Sequence, residues 1–465
     1  MESSQKTLEQ IQKELQDAVQ KGVVVETHFW VTFQKSEDLL IQLMNTETPP
    51  PPLPPGADES IEFGWVLYYL NNKAPSWLKP ILKFLKMPAS KITTKEWDHW
   101  WTIWEGEGKL TGDGSLVSTA KYAELDMGDP KGTGWPLAIL NFLYYRFFPK
   151  KIHPFVHNDP PTTIKITPSS QPSLKIALFG DWGTGKYKDG NLPDSPSQMV
   201  MQQIAKQTPD IMIHLGDVYY AGLESEEQNN LLNCWKPAPL GNFTLNSNHE
   251  MYDGANGLYK TALASSVFEK QKGGTYFSIT YGDWVIMGLD SAYNATDMYM
   301  DGVINDVYQS GPEGFIATQS KGKKTILLTH HNPMDVQGKY TNSLWNDVVK
   351  DSLMGRHPEV WYWGHIHNGV VYNNTAASHS TLARCLGHSG IPFGNAEWLE
   401  GNNNGNFGTI DHYAHTPLEN PSPNNKLRVK NGFAILEIKG GKLTETWYDQ
   451  DGTLSWTSKA PELSY

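Results

Sequence analysis

The sequence predicts an α/β protein in which a mainly helical N-terminal domain precedes a domain built on a sheet. From residue 174 onward, short apolar segments that end in Gly, Asp or His alternate with polar helical stretches. The first unit runs from a strand at 174–180 through a helix around 196–207 to a strand at 211–216. This order indicates a largely parallel sheet, and the ligand sites of such sheets gather beyond the carboxyl ends of the strands.

The strands of this domain continue toward the C-terminus. Segments rich in β-branched and aromatic residues predict further strands at 275–279, 284–290, 325–329 and 360–364. Two alternating segments on either side of Gly440 and Gly441 predict a hairpin. We therefore predict a domain over 174–450, preceded by a Pro-rich linker at 156–173 and followed by a C-terminal tail at 451–465.

Residues 1–155 predict the separate, Trp-rich and mainly helical domain, whose role the sequence does not indicate. Apolar residues at helical spacing predict an amphipathic helix over 4–21 and an apolar helix over 137–148. The proline run that begins at Pro49 predicts an extended segment, either a stiff connection or a ligand for an aromatic groove. Four Trp lie on one predicted helix, where core packing is favoured over a carbohydrate or lipid platform: Trp97, Trp100, Trp101 and Trp104.

Composition and charge exclude several classes of protein. The net charge of -12 over 465 residues gives no basic surface for nucleic acid. The only cysteines, Cys234 and Cys385, lack the spacing of a disulfide framework or a thiolate zinc site. No apolar segment approaches the roughly 20 residues of a membrane span. The polar N-terminus has no secretory signal, so we expect a cytoplasmic location, and the oligomeric state stays open.

Residues 180–187 imitate a phosphate-binding loop. Gly180, Gly185 and Lys186 follow a predicted strand with the spacing GxxxxGK. However, Tyr187 occupies the position where Ser or Thr would bind magnesium. The residues after Lys186 predict a loop, so no helix N-terminus would meet a phosphate. A nucleotide-binding loop that depends on Lys186 therefore remains only an alternative.

Five polar motifs stand at or just after predicted strand ends. They are GDWG at 180–183, GDVYY at 216–220, SNHE at 247–250, LLTHH at 327–331 and GHIH at 364–367. Each motif is weak alone, but the ordered set predicts one site at the carboxyl edge of the sheet. The set supplies oxygen and imidazole donors suited to iron, zinc or manganese: Asp181, Asp217, Tyr220, Asn248, His330, His365 and His367.

This set of motifs resembles the calcineurin-like metallophosphoesterases and, within them, the purple acid phosphatases, whose pattern is GDxG, GDxxY, GNH[DE], VxxH and GHxH. The resemblance covers roughly residues 174–450 and implies a four-layer αββα sandwich. Most metallophosphoesterases have DxH at the first motif, whereas Gly183 occupies that histidine position here. Tyr220 supplies the replacement ligand that purple acid phosphatases use. Ser247 departs from the family pattern, in which the third motif opens with glycine.

The resemblance implies a centre of two metal ions. The first ion would be held by Asp181, Tyr220 and His367, the second by Asn248, His330 and His365, and Asp217 would bridge them. A phenolate favours Fe(III) at the first position, whereas amide and imidazole donors suit Fe(II), Zn or Mn at the second. The adjacent His331 is an alternative to His330 as the ligand of the fourth motif.

Such a centre implies hydrolysis of a phosphomonoester or phosphodiester on a small molecule. Two ions can deprotonate a bridging water, and the resulting hydroxide is the nucleophile. The resemblance assigns His249 as the general acid that protonates the leaving alkoxide, because an imidazole titrates close to neutral pH. Glu250 is a hypothetical orienting partner of His249. An alternative from another class is a catalytically degenerate scaffold or binding protein that acts through its N-terminal domain.

Two further polar residues lie near the predicted site. His388, in a Gly-rich segment after the GHIH motif, is a candidate substrate-binding residue. Asp290 ends the predicted strand 284–290, and we expect it to cap the following turn rather than to bind metal.

Overall fold

The computed structural model of the protein describes residue 145 and residues 149–186, 193–295, 302–390, 396, 399, 408–422 and 425–458. Several predictions therefore lie outside the described residues: the helix at 4–21, the proline run at Pro49 and the four-Trp helix. The helical character of the N-terminal domain stays a prediction for the same reason. Of the apolar helix at 137–148, only Tyr145 is described.

The described residues form sixteen strands and short helices between them. The strands are β1 Thr163–Ile166, β2 Ser173–Phe179, β3 Ile211–His214, β4 Gly241–Thr244, β5 Phe277–Tyr281, β6 Trp284–Gly288, β7 Lys324–Thr329, β8 Val360–Trp363, β9 Gly369–Tyr372, β10 Leu382–Leu386, β11 Ile410–Tyr413, β12 His415–Ser422, β13 Asn425–Val429, β14 Gly432–Lys439, β15 Lys442–Asp449 and β16 Leu454–Thr457. The α-helices are α1 Pro196–Gln207, α2 Glu224–Glu226, α3 Asn248–Tyr252, α4 Phe315–Ser320 and α5 Ser343–Trp345. Helical turns of 3-10 type span Pro149–Lys151, Leu232–Cys234 and Ser266–Gln271, and those of π type span Glu227–Leu231, Leu258–Ala262 and Asn346–Ser352. Within the described ranges, no helix is both long enough and apolar enough to cross a membrane.

The predicted unit of strand, helix and strand is confirmed as β2, α1 and β3. Helix α1 begins at Pro196, directly after the N-cap Ser195, whose Oγ accepts a hydrogen bond from Gln198 N at 3.3 Å. It ends before Thr208, which adopts a left-handed backbone with φ of 48°. The segment between the two strands, which contains α1, is long enough to bring the chain back to the starting edge of the sheet. Strands β2 and β3 therefore pair in parallel.

The strands form two mixed sheets and a separate hairpin. One sheet has eight strands in the order β1-β5-β6-β7-β8-β10-β9-β11, the other has six in the order β16-β15-β14-β2-β3-β4, and β12 pairs with β13. The expectation of a largely parallel sheet holds for β2 to β4 and for β6, β7, β8 and β10. Toward the margin of the second sheet, β14 and β15 pair antiparallel across Gly440 and Gly441, which confirms the predicted hairpin.

Alternation along the strands sorts their side chains into two cores. In β2, Ile176 and Leu178 join a buried cluster that also contains Ile326 of β7, so this cluster lies between the two sheets. Ala177 and Phe179 point to the other face and belong to the cluster that includes the buried side of α1. The described residues therefore form two sheets packed face to face with helices outside them. This arrangement confirms the four-layer αββα sandwich.

The sheets extend beyond both predicted boundaries of the domain. The segment predicted as a linker, 156–173, contains β1, which pairs in parallel with β5 in the register Thr163 to Ser278. The predicted tail at 451–465 contains β16, which pairs with β15. The prolines that suggested a linker stand on either side of β1, at Pro161 and Pro168, and do not interrupt it. Both segments are thus edge strands of the sandwich.

Candidate metal centre

Four strand ends bring the polar motifs to one edge of the sandwich. Asp181 follows β2, Asp217 follows β3, His330 follows β7 and His365 follows β8, and all four side chains are buried. The backbone at Asp181, Asp217 and His365 is left-handed, with φ of 55°, 74° and 65°. For residues other than glycine this conformation costs on the order of 1–3 kcal/mol each, and such residues cluster at functional sites.

The first group of donors consists of Asp181, Asp217 and His367. Their ligand atoms all lie within 4.8 Å of one another, and Oδ1 of Asp181 lies 3.6 Å from Nε2 of His367. The other oxygen of Asp181 accepts a hydrogen bond from His365 N at 3.0 Å. Two buried carboxylates this close repel each other unless a cation lies near them. The group therefore fits a metal ion.

The second group adds an amide oxygen to imidazoles. Oδ1 of Asn248 lies 2.7 Å from Nε2 of His330 and 3.1 Å from Nδ1 of His365. The same His330 nitrogen lies 3.2 Å from Oδ1 of Asp217. Because Asp217 belongs to the first group and contacts the second, it occupies the place of a shared carboxylate. The two groups together fit a pair of ions with a bridging ligand.

The protonation of His330 follows from its second contact. Its Nδ1 lies 2.9 Å from the backbone oxygen of Leu215. A carbonyl oxygen can only accept, so Nδ1 is the protonated nitrogen. Nε2 faces the oxygens of Asn248 and Asp217, where its lone pair would be available to an ion held between them. Metal-binding histidines are commonly fixed by such a carbonyl on their other nitrogen.

The structure also brings His331 to the second group. Its ligand nitrogen lies within 4.8 Å of those of His330 and His365, and its Nδ1 lies 3.0 Å from Oγ of Ser291. The sequence left open which of the two adjacent histidines serves the fourth motif. Contacts with both Asn248 and Asp217 favour His330.

Paired alanine variants of the two adjacent histidines test this assignment. We expect His330→Ala to lose the second metal ion, so that the metal content falls from about two ions per chain toward one. We expect His331→Ala to retain most of the second ion, since the donors around His330 stay in place. Metal content after dialysis, measured by elemental analysis, decides between them. Equal loss in both variants, or a larger loss in His331→Ala, would contradict the assignment.

His249 is oriented by a backbone oxygen. Its Nδ1 donates a hydrogen bond to the carbonyl of Tyr220 at 2.6 Å, and the ring is fully buried. Nε2 is therefore the nitrogen that can give and take a proton. Glu250, the hypothetical orienting partner of His249, accepts from Val218 N through Oε1 at 2.9 Å, and its other oxygen contacts Ser247. Orientation of His249 by Glu250 stays a prediction.

Ser247, which replaces the usual glycine of the third motif, links the motifs to each other. It caps α3, with its Oγ accepting a hydrogen bond from His249 N at 3.1 Å. The same oxygen contacts one carboxyl oxygen of Asp217 and one of Glu250. Burial, together with the charge of Asp217, raises the pKa of Glu250 to about 8. At neutral pH Glu250 therefore carries a proton, which limits the negative charge beside Asp217.

Tyr219 is a residue of the site that the sequence analysis did not single out. Its hydroxyl lies 2.6 Å from Nε2 of His367, and its ring centroid lies 4.4 Å from that of His249. The GDxxY pattern draws attention to Tyr220 alone. The two adjacent tyrosines of GDVYY were the feature of the sequence from which Tyr219 could have been identified as a second candidate.

His388 and Asp290, the two further polar residues of the sequence analysis, do not belong to either group of clustered donors. His388 stacks on Trp447, with 5.7 Å between ring centroids, and burial lowers its pKa to about 3. The imidazole of His388 is therefore neutral and packed in the core, an environment that does not add support for a substrate contact. Asp290 caps its turn as predicted, because its Oδ1 accepts hydrogen bonds from Ala292 N and Tyr293 N at 3.0 and 2.9 Å.

The segment that imitates a phosphate-binding loop is only partly described, because residues 187–192 lie outside the described ranges. Gly180 has a role in packing, since a Cβ there would lie 2.8 Å from the backbone oxygen of Leu386. The prediction against a nucleotide site stays a prediction.

Comparisons with solved structures give distant similarities. Purple acid phosphatase PPD1 from seeds of yellow lupin (Lupinus luteus) is 17% identical, with 61% of this chain and 53% of that chain covered and a TM-score of 0.33. GAP50, the anchor in the inner membrane complex of Plasmodium, is 12% identical, with 63% and 89% covered and a TM-score of 0.36. A serine/threonine phosphatase from Saccharomyces cerevisiae is 12% identical, with 66% and 83% covered and a TM-score of 0.23. The chain spans about half the length of the lupin protein.

The family comparison covers the part of the chain that carries the site. No curated protein matches the chain. The model of the calcineurin-like phosphoesterases matches residues 174–369, a range that runs from β2 to β9 and includes every predicted metal ligand. Residues 174–369, which hold all the predicted metal ligands, are thus similar to the calcineurin-like phosphoesterases.

Proposed function

We propose that the protein hydrolyses phosphate esters of small molecules at a dinuclear metal centre of the purple acid phosphatase type. The observation that carries this proposal is the pair of buried donor groups joined through Asp217. One group is rich in carboxylate and the other in imidazole, so the two positions would suit ions of different charge. The match of residues 174–369 to the calcineurin-like phosphoesterases supports the reaction class.

The proposed ligands follow the resemblance. Asp181, Tyr220 and His367 would hold the first ion, Asn248, His330 and His365 would hold the second, and Asp217 would contact both. We propose Fe(III) at the first position, where a phenolate and carboxylates meet, and Fe(II), Zn or Mn at the second. When bound, such a pair supplies Lewis acidity and lowers the pKa of a shared water to near neutral. The buried carboxylates of Asp181 and Asp217 offset part of the positive charge.

The remaining step of the proposed reaction is proton transfer to the leaving group. His249 is the proposed donor, because its Nδ1 is fixed on the Tyr220 carbonyl and Nε2 is the exchangeable nitrogen. The leaving alkoxide accepts the Nε2 proton as its bond to phosphorus breaks, and water later restores that proton. Without this transfer an alkoxide is a poor leaving group.

Metal analysis combined with a substrate panel tests the proposal. We expect the purified protein to carry about two transition-metal ions per chain and to hydrolyse aryl and alkyl phosphate esters. Chelation should abolish hydrolysis, and Fe, Zn or Mn should restore it. Full activity in metal-free protein would refute the metal centre. Two bound ions without hydrolysis of any monoester, diester or nucleotide would favour the scaffold alternative.

A further inference from the structure

We propose that Tyr219 contributes a phenol oxygen to the first metal position, beside Asp181 and His367. This inference rests on the proposed dinuclear centre and adds a donor that the GDxxY pattern does not assign. The proposal concerns Tyr219, the residue directly before Tyr220. The assignment of Tyr220 as a metal ligand comes from the resemblance.

The distances around His367 carry the inference. Nε2 of His367 lies 2.6 Å from the hydroxyl oxygen of Tyr219 and 3.6 Å from Oδ1 of Asp181. Two ligands at right angles on one ion, each about 2.1 Å from it, lie about 3.0 Å apart. The 2.6 Å contact is a hydrogen bond and the 3.6 Å contact a looser approach. The phenol and the carboxylate oxygens therefore both lie beside the nitrogen that would contact the first ion.

The backbone of Tyr219 is held in the position that a ligand needs. Tyr219 N donates to the Gly183 oxygen at 3.0 Å, and the Tyr219 oxygen accepts from Asn230 Nδ2 at 2.9 Å. The first contact ties the second motif directly to the first. The backbone N–H and C=O of Tyr219 are both hydrogen-bonded, and its side chain is buried. The phenol is therefore already held in place before an ion would bind.

Gly183 lies directly against the loop that carries Tyr219. A Cβ at Gly183 would lie 2.5 Å from the oxygen of Asp217 and 2.6 Å from Cα of Val218. The 217–219 loop thus occupies the room that a histidine at residue 183 would need. Donors of this loop therefore stand where the first motif lacks a histidine, and the phenol of Tyr219 would act in addition to that of Tyr220.

A phenol that binds a cation must lose its proton. Coordination would break the O–H bond of Tyr219, form an oxygen–metal bond and release one proton to solvent. In the absence of metal, the hydroxyl can donate to the Nε2 of His367. Proton release on metal binding therefore distinguishes a ligand from a buried ring that only packs beside the site.

Tyr219→Phe is the decisive variant, and Tyr372→Phe is its control. Tyr372 is equally buried, and its hydroxyl donates to the Val336 oxygen at 2.7 Å in a different part of the sandwich. Chelated full-length protein is titrated with Zn²⁺ by calorimetry in buffers of different ionisation enthalpy, which counts the released protons. The same proteins are loaded with Fe(III), and the visible charge-transfer band is recorded.

We expect Tyr219→Phe to bind the first ion about 10- to 100-fold more weakly, to release one proton fewer and to have a weaker or shifted band. Tyr372→Phe should match the wild type in all three. Unchanged affinity, proton count and band in Tyr219→Phe would overturn this inference while the proposed function stands. A wild-type protein that binds no metal would overturn both. If Tyr219→Phe does not fold, Tyr219→His decides: retained metal content with a weaker or shifted band supports the inference, and an unchanged band overturns it.

Discussion

Asp217→Asn is expected to lower kcat for phosphate ester hydrolysis about a thousandfold, equivalent to about 4 kcal/mol of transition-state stabilisation. Asp217 shares the first donor group with Asp181 and contacts His330 in the second. An amide keeps the size of the carboxylate but removes its charge, so the repulsion between two ions is no longer offset. At least one ion should therefore bind more weakly, and the nucleophile should be lost with it.

Kinetics on an aryl phosphate together with metal content measure this effect, and Asp290→Asn is the matched control. Asp290 is also a buried carboxylate, whose pKa is raised mainly by burial, but it caps a turn. We expect Asp290→Asn to affect stability more than metal content. An Asp217→Asn protein that keeps both ions and more than a tenth of its activity would show that Asp217 is not the shared ligand.

The sequence predicts the central strands because their pattern is local. Strand β2 is a continuous apolar segment, and the polar helix after it marks a parallel return to β3. Pairings between distant parts of the chain leave no such mark. Strand β14 pairs with β2, with Ile435 opposite Ala177, and neither segment contains a signal for the other. The edge strand β1 was not predicted, because it is only four residues long and the prolines on either side of it resemble those of a linker.

The clustering of the proposed metal ligands could be predicted because sheet geometry gathers strand ends at one edge. Asp181, Asp217, His330 and His365 follow four different strands and lie together for that reason. Contacts made between loops could not be predicted in this way. The Ser247 bridge to Glu250 and the approach of Tyr219 to His367 depend on how two loops pack, and residue periodicity contains no information on that.

His249→Ala is expected to slow hydrolysis of alkyl phosphates by about 10²- to 10⁴-fold. The reduction should be much smaller for aryl esters with an acidic leaving group. An alkoxide needs a proton as it departs, whereas a nitrophenolate leaves without one. The metal content should stay at the wild-type level, because His249 donates through Nδ1 to the Tyr220 carbonyl and is not among the clustered metal donors.

The dependence on leaving group separates an acid from a residue that only supports the site. A general acid must be protonated to act, so wild-type activity on alkyl esters should fall toward high pH. This decline should disappear in His249→Ala. Rates for a series of esters, plotted against leaving-group acidity, should become steeper in the variant. A uniform loss for all esters with an unchanged pH profile would instead mean that His249 positions the 219–220 loop through its bond to the Tyr220 carbonyl. In that case the proton would have to come from another group at the site.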